Sequence, residues 1–516
     1  MIKTLFAAAV LSASALAPVA AQTLHFRLQA DPQTLYNVQS ISNIVDGVLG
    51  NYLLERLVYV DAQGLPQPWL AESWVLSADQ KTVSFKLRSG VKFHDGTDFN
   101  AAAVKFHFDA IRDPKNASPL LSMIGPLERV ETPDPLTVTL VFSRPYGPLL
   151  NNLSLGFMGI NSPTAVNKAG KSYGRKPVGT GPFKLQRWTP GSELRLERYA
   201  DYRQFRRDAV NQGPAHAQTV VLHVIREDAV AAAALESGEL TAADLQPDVV
   251  PRFERDKRFR VVTNKNVKLL AFIDMNQHRP PFDDVNFRRA VSMSIDRQAV
   301  VRGAMGGYAT EMSTPLAPGI PGFDKALAAK AELAYAPDKA RALLAAAGWK
   351  LKDGVLERDG RPARFVMRGV SGSDTVDRAL AVIQSNLKAV GIQVTLETSD
   401  WGAMYPSLLN NDWEMAMMGW TWPDGSVMGN LWRTPGHRKH LKANPTLDAL
   451  FLRCDSMLDA APRNSCLAQA QRLLVEQVQV VPVASRWDQY AVQAGVRDFT
   501  VDAGGYLLPG DVKVQP

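Results

Sequence analysis

Cysteine is almost missing from this chain: Cys454 and Cys466 are the only two in 516 residues. A scaffold held by many disulfides and a paired CxxC metal site are therefore both excluded. Past the N-terminal leader no stretch reaches the 18 or so uninterrupted apolar residues that a membrane-spanning helix needs. Runs of five or six like charges are absent too, and basic residues lie interspersed with acidic ones. The formal charge of +7 thus carries no nucleic-acid footprint, and no nucleic-acid module is recognisable. There is no HExxH and no EF-hand loop. His437 and His440 have HxxH spacing, but Arg438, Lys439 and Lys442 surround them and would repel a metal cation. Gly179 and Gly181 are followed by Pro182 and Phe183, and Gly170-Lys171-Ser172 has Ala165 where a phosphate loop needs its first glycine. The segment from Gly369 to Ser373 misses GxSxG at its last position, so no activated nucleophile is in view.

What is present begins with a leader. Lys3, an apolar run over residues 5–16 and the small residues Val19-Ala20-Ala21 read as a cleaved secretory signal over residues 1–21. No cysteine lies near the cleavage point, so the expected product is a released periplasmic protein without a lipid anchor. Lys3 is the leader's only charge, and its removal takes +7 to +6. The length exceeds the roughly 250–300 residues at which single cores stop growing, so two or three domains are expected. A composition of 46% hydrophobic and 21% charged residues is that of a globular protein.

The most informative stretch is residues 70–109. Val83, Phe85 and Leu87 alternate with Ser84, Lys86 and Arg88, the period of a half-buried strand. Asn100 can cap a helix whose apolar face is Val104, Phe108 and Ile111. His94 beside Asp95 resembles a base with its orienting acid. Sequence neighbours point apart, however, and a polar turn at Gly96 is the better reading. Further strands are expected over residues 23–28 and 137–142. Helices are expected over 229–237 with a stop at Gly238, over 285–301 with Asp284 as cap, over 338–347, and over 375–390, the last followed by a strand from Ile392. Helix and strand in repeated succession indicate an α/β fold. Cys454 extends the face of Leu447, Leu450 and Phe451, and Cys466 shares a face with Ala470 and Leu473. Both thiols can therefore point inward across a helical hairpin and, in an oxidising compartment, form a disulfide.

The order LAESW, then a strand ending in KLRSGVKFHDG, then an amphipathic helix resembles the extracellular solute-binding proteins of the peptide/nickel class, family 5, the receptors of ABC importers. VGTGPF at 178–183 and the series Asn276, Pro281-Phe282-Asp283-Asp284, Arg288-Arg289-Ala290, Ile295-Asp296-Arg297 are similar to that family as well. The resemblance implies a two-lobed periplasmic binding protein of class II type with an extra small domain, three interleaved domains in all. On this reading residues 22–60, 178–270 and 488–516 form domain I, residues 61–177 domain II, and residues 271–487 domain III. It implies a monomeric receptor, not an enzyme, without a cofactor. Such a receptor closes on a peptide or small-molecule ligand and delivers it to an inner-membrane ABC permease. A non-peptide solute (nickel chelate, opine, glutathione or haem) stays open, as does a periplasmic hydrolase.

Residues 413–432 hold four of the ten tryptophans, with Trp401 just upstream. In the family the corresponding loop lines the ligand cavity, and its aspartate holds a peptide's amino terminus. Here the position third after Trp420 is Pro423, and Asp424 follows one later. The expected ligand contacts are Trp420, Trp422 and Asp424 from this loop, Trp401, Arg368 at the end of a strand for a ligand carboxylate, and Tyr52 and Asn43 from the first domain. Asp424 reads either as that contact or as a loop carboxylate facing solvent.

Overall fold

The computed structural model describes residues 22–265, 269–330, 332–434, 439–502 and 504–514. The leader and His437 lie outside these. Three sheets organise the chain. A seven-stranded sheet runs, in spatial order, through Phe259–Asn264, Asp488–Gln493, Ala242–Asp244, Thr23–Leu28, Thr219–Val224, Glu193–Arg198 and Phe183–Thr189. A six-stranded sheet runs through Ala309–Glu311, Val481–Arg486, Leu269–Met275, Met415–Thr421, Arg364–Val370 and Gln393–Ser399. A four-stranded antiparallel sheet holds Ala71–Leu76, Thr82–Leu87, Thr137–Phe142 and Leu127–Asp134.

Local chemistry accounts for most of these elements. The side chain of Asn100 accepts the Ala103 N–H and starts the helix Ala101–Arg112, whose buried Val104, Phe108 and Ile111 cover the four-stranded sheet. The helix Asp228–Ser237 stops at Gly238, which adopts a φ of +86°. One expectation is corrected. Residues 285–301 do not form a single helix: Val285–Ser294 ends at an extended Ile295, and Asp296 caps a second helix, Arg297–Met305, by accepting the Ala299 N–H. The apolar pattern runs on across this break. The carboxylate of Asp296 and the Arg297 guanidinium, which donates to the Pro482 and Leu333 carbonyls, fix the bend.

His94 and Asp95 turn away from each other. The Gly179 N–H donates to His94 Nδ1 (3.3 Å), and His94 Nε2 lies 2.9 Å from the Gly181 carbonyl. The ring is thus neutral, and burial pushes its pKa down to about 4. Asp95 instead accepts from the Thr97 and Ser162 hydroxyls. The pair fastens the loop after the strand Thr82–Leu87 to the segment that leads back to the seven-stranded sheet.

The disulfide Cys454–Cys466 is formed, with Cα atoms 5.4 Å apart, and joins the helices Pro445–Asp455 and Ala460–Glu476. One contiguous apolar cluster begins under the four-stranded sheet at Phe85 and Phe108. It continues through Leu149 and Leu153 to Trp422 and Leu431, and ends on the disulfide hairpin at Leu450 and Leu467. The small unit is therefore packed against the unit that carries the tryptophan loop.

Candidate functional site

Strand direction locates the cleft. In the seven-stranded sheet Thr23–Leu28 pairs in parallel with both Thr219–Val224 and Ala242–Asp244. In the six-stranded sheet Arg364–Val370 pairs in parallel with Gln393–Ser399 and with Met415–Thr421. The chain passes from the first sheet to the second between Asn264 and Leu269 and returns between Arg486 and Asp488. Asp244 ends one parallel strand opposite Tyr490 in the returning strand, and Thr421 ends another opposite Leu269 in the outgoing one. The C-terminal edges of both parallel sets thus meet at one double crossing, the edge at which α/β sheets present ligands.

The second sheet contributes Trp420, half-buried and opposite Leu270. It also contributes Arg368, which donates to Ser407 Oγ (3.0 Å) and lies 3.8 Å from Glu397. Trp422 is turned inward, only 5% exposed, within the apolar cluster. The side chain of Trp401 lies outside the described residues; its backbone opens the helix Trp401–Leu409. Asn43 is exposed at the start of the helix Asn43–Val48. Tyr52 is 5% exposed in the turn that follows, edge-on to Phe183.

Asp424 has a different setting from the one its sequence context suggests. It is wholly buried, and both of its oxygens face the Arg463 guanidinium, with Nη1 to Oδ2 at 2.8 Å. Asn151 Nδ2 and the Ser426 N–H each donate to it at 2.8 Å. Desolvation alone would raise its pKa; the guanidinium and these donors outweigh it and hold the carboxyl down to about 2. Asn151 belongs to the helix Leu149–Leu153 that follows the four-stranded sheet, and Gly147 nearby donates to the Asp455 carbonyl (2.8 Å). Asp424 therefore fastens the tryptophan loop to the disulfide hairpin and to the small unit.

No local pattern announces the residues gathered at the crossing itself. Gln29 donates to Asp244, and Gln246 Oε1 accepts from both Thr375 Oγ1 (3.0 Å) and Arg486 Nη1 (2.8 Å). Asp488 stands one residue past the return crossing, where burial pushes its carboxyl up to about 6, against the pull of Arg486 and with Asp244 adding to the rise. The one available signal was Arg486-Trp487-Asp488, a charged triplet between the apolar run VPVAS and the alternating QYAVQ.

Elsewhere, a surface cavity of about 410 Å³ on the second unit is lined by Arg288, Lys442, Gln477 and Gln479 among others, away from the crossing. His440 is wholly buried, 3.7 Å from Asp274, which also accepts from Trp432 Nε1.

A family model for bacterial extracellular solute-binding proteins, family 5 (middle), matches residues 66–439. The glutathione-binding protein GsiB of Escherichia coli (strain K12) is 31% identical over 337 residues, 64% of this chain and 61% of its own length. The match thus spans less than two thirds of that relative. Among solved structures, the oligopeptide-binding protein AppA from Bacillus subtilis, in complex with a nonapeptide, superposes with a TM-score of 0.82 at 21% identity, covering 96% of this chain and 99% of its own. NikA from Brucella suis, in complex with Fe(III)-EDTA, gives 0.84 at 24%, covering 96% and 100%. Identities this low speak for the two-lobed fold and leave the ligand open.

Proposed function

The chain belongs to the bacterial extracellular solute-binding proteins of family 5, and from that premise we propose that it is a periplasmic receptor that binds a peptide or peptide-like solute between two lobes and hands it to an inner-membrane ABC permease. In this reading one lobe comprises residues 22–60, 178–270 and 488–516, the small domain residues 61–177, and the second lobe residues 271–487. The leader, residues 1–21, is removed on export, and the mature protein acts as a monomer and without catalysis.

The observation that carries the reading is the double crossing at 264–269 and 486–488, where both sheets turn their C-terminal edges toward one another. A receptor whose chain crosses twice between two sheets closes by rotation of one lobe against the other. A solute touching both edges favours the closed arrangement by its extra affinity for that arrangement, and by no more than that. Trp420 and Arg368 form the wall from the second lobe, to which Trp401 is assigned by its place in the chain; Tyr52 and Asn43 belong to the facing side. Asp424 and Trp422 support that wall from behind, since neither is open to the cleft.

Glutathione is favoured as one member of the solute class by the similarity to the glutathione-binding protein GsiB. Glutathione is itself peptide-like, so it narrows the proposal instead of opposing it. Native mass spectrometry of freshly purified protein tests the reading. A co-purifying peptide-like molecule, displaced by added dipeptide or glutathione, is expected; a metal chelate or haem with no peptide would replace the solute class.

A further inference from the structure

Two carboxylates at the crossing share one guanidinium. Asp244 sits opposite Tyr490 in the antiparallel ladder, and Asp488 is two residues from Tyr490 on the same strand. Directly opposed residues, and residues two apart, share a face of a sheet, so Asp244, Asp488 and Tyr490 lie on one side. Among the described residues the cations that act on the two carboxylates are Arg486, on both, and Arg27, on Asp244. Arg27 is already matched by Asp228 (2.6 Å) and by the Ile225, Arg226 and Asp244 carbonyls. Arg486 gives its Nη1 hydrogen bond to Gln246, and its buried Nε has no partner among the described residues. Asp244 receives a hydrogen bond from Gln29, whereas the Asp488 side chain receives none from any described group. Among the described residues, Asp228, Asp244 and Asp488 thus face two guanidinium groups, those of Arg27 and Arg486.

A second observation points to the same place. Tyr52 is 95% shielded from solvent, yet its hydroxyl makes no hydrogen bond with any described group, and neither does that of Tyr490. Tyr490 lies within electrostatic reach of Asp488, Asp244, Tyr52 and Arg486 together. The side chains of Asp244, Asp488 and Tyr490 are part-exposed, so their polar atoms are open to a donor from solution. An ammonium group supplies both needs, with three N–H donors and one charge, and the phenol faces suit a cation.

We propose that Asp488, with Asp244, Tyr52 and Tyr490, forms a subsite in the first lobe for a positively charged amino group of the solute. The solute class is thereby narrowed to amine-bearing molecules, such as a peptide or γ-peptide with a free amino terminus. The tryptophan loop cannot hold that amine through Asp424, whose carboxylate is committed to Arg463. This inference rests on the solute-receptor reading above.

The test compares alanyl-alanine and reduced glutathione with their N-acetyl counterparts by isothermal titration calorimetry, on the wild-type protein and on Asp488→Asn and Tyr490→Phe. Removing one partner of a desolvated charge pair weakens binding by about thirtyfold or more. The free amines are therefore expected to bind that much more tightly than the acetylated forms, and Asp488→Asn should abolish the difference. Tyr490→Phe, which keeps the ring and the fold, should weaken only the free amines, by several-fold. Equal binding of free and acetylated probes, or full discrimination retained in a folded Asp488→Asn, overturns the subsite and leaves the receptor reading intact. If none of the four probes binds, the peptide-like reading falls, and the subsite with it.

Discussion

Asp424 is wholly buried and Asp488 part-buried, each beside an arginine, and they end in opposite states. Asp424 faces a guanidinium with both oxygens and accepts two further N–H donors, so its carboxyl is held down to about 2. Asp488 has an arginine in reach whose Nη1 hydrogen bond goes to Gln246, and its carboxyl is pushed up to about 6. The first has everything a buried charge needs from its own chain, and its work is to hold parts together. The second has no such set of partners among the described residues, and in the proposed subsite the solute completes it. For locating a binding site, an unmet charge is a better guide than a conspicuous neighbourhood such as four tryptophans.

The largest effect that would break this contrast comes from Arg463→Met, which leaves Asp424 buried without its cation. Breaking such a pair costs about 3–5 kcal/mol, read as a drop in the urea midpoint. By comparison, Asp488→Asn removes an uncompensated charge and is expected to leave the midpoint unchanged or raise it. A loss of stability in Asp488→Asn equal to that in Arg463→Met would erase the distinction. Next is the disulfide beside Arg463. The double variant Cys454→Ser/Cys466→Ser should lose about 3 kcal/mol in the chain-entropy model, with solute affinity of the folded protein kept.

Acid should separate the two aspartates further. The folded pKa of Asp424 is depressed, so its stabilising contribution is fully present above the unfolded value of about 3.9 and is lost as the pH falls through about 2. The folded pKa of Asp488 is raised, so its ionised form is a burden on the fold above about 6 and is relieved below it. Amine binding requires that ionised form. Affinity should therefore fall by about tenfold per pH unit below 6 in calorimetry, while the Asp424 linkage stays intact to far lower pH. The smallest effect is expected for Asn151→Ala, which removes one hydrogen bond between the small unit and the tryptophan loop: about 1 kcal/mol in a thermal melt.

Periodicity and capping made much of the fold readable. The strands Thr23–Leu28 and Thr137–Phe142, the Asn100 cap and the two faces of the cysteine hairpin all depend on residues a few positions apart. The bend at Ile295 was not readable, because the apolar spacing continues through it and the cause is a guanidinium reaching Pro482, 185 residues away. The surroundings of Asp424 were not readable for the same reason. Nothing near Asp424 in the sequence announces Arg463 or Asn151, which lie 39 and 273 residues away. Likewise Asp244 and Asp488 come together only because the strand Asp488–Gln493 returns beside Ala242–Asp244. Charge balance at a crossing is a property of the folded chain, and no local pattern encodes it.

The central claim is that the carboxylate of Asp488 is completed by the solute. Its pKa can be followed by carbon NMR of labelled aspartate, assigned with Asp488→Asn, with and without saturating glutathione or alanyl-alanine. A value near 6 in the free protein that drops below the ordinary 3.9 or so on binding is the predicted result. A pKa that stays near 6 with solute bound would contradict the account.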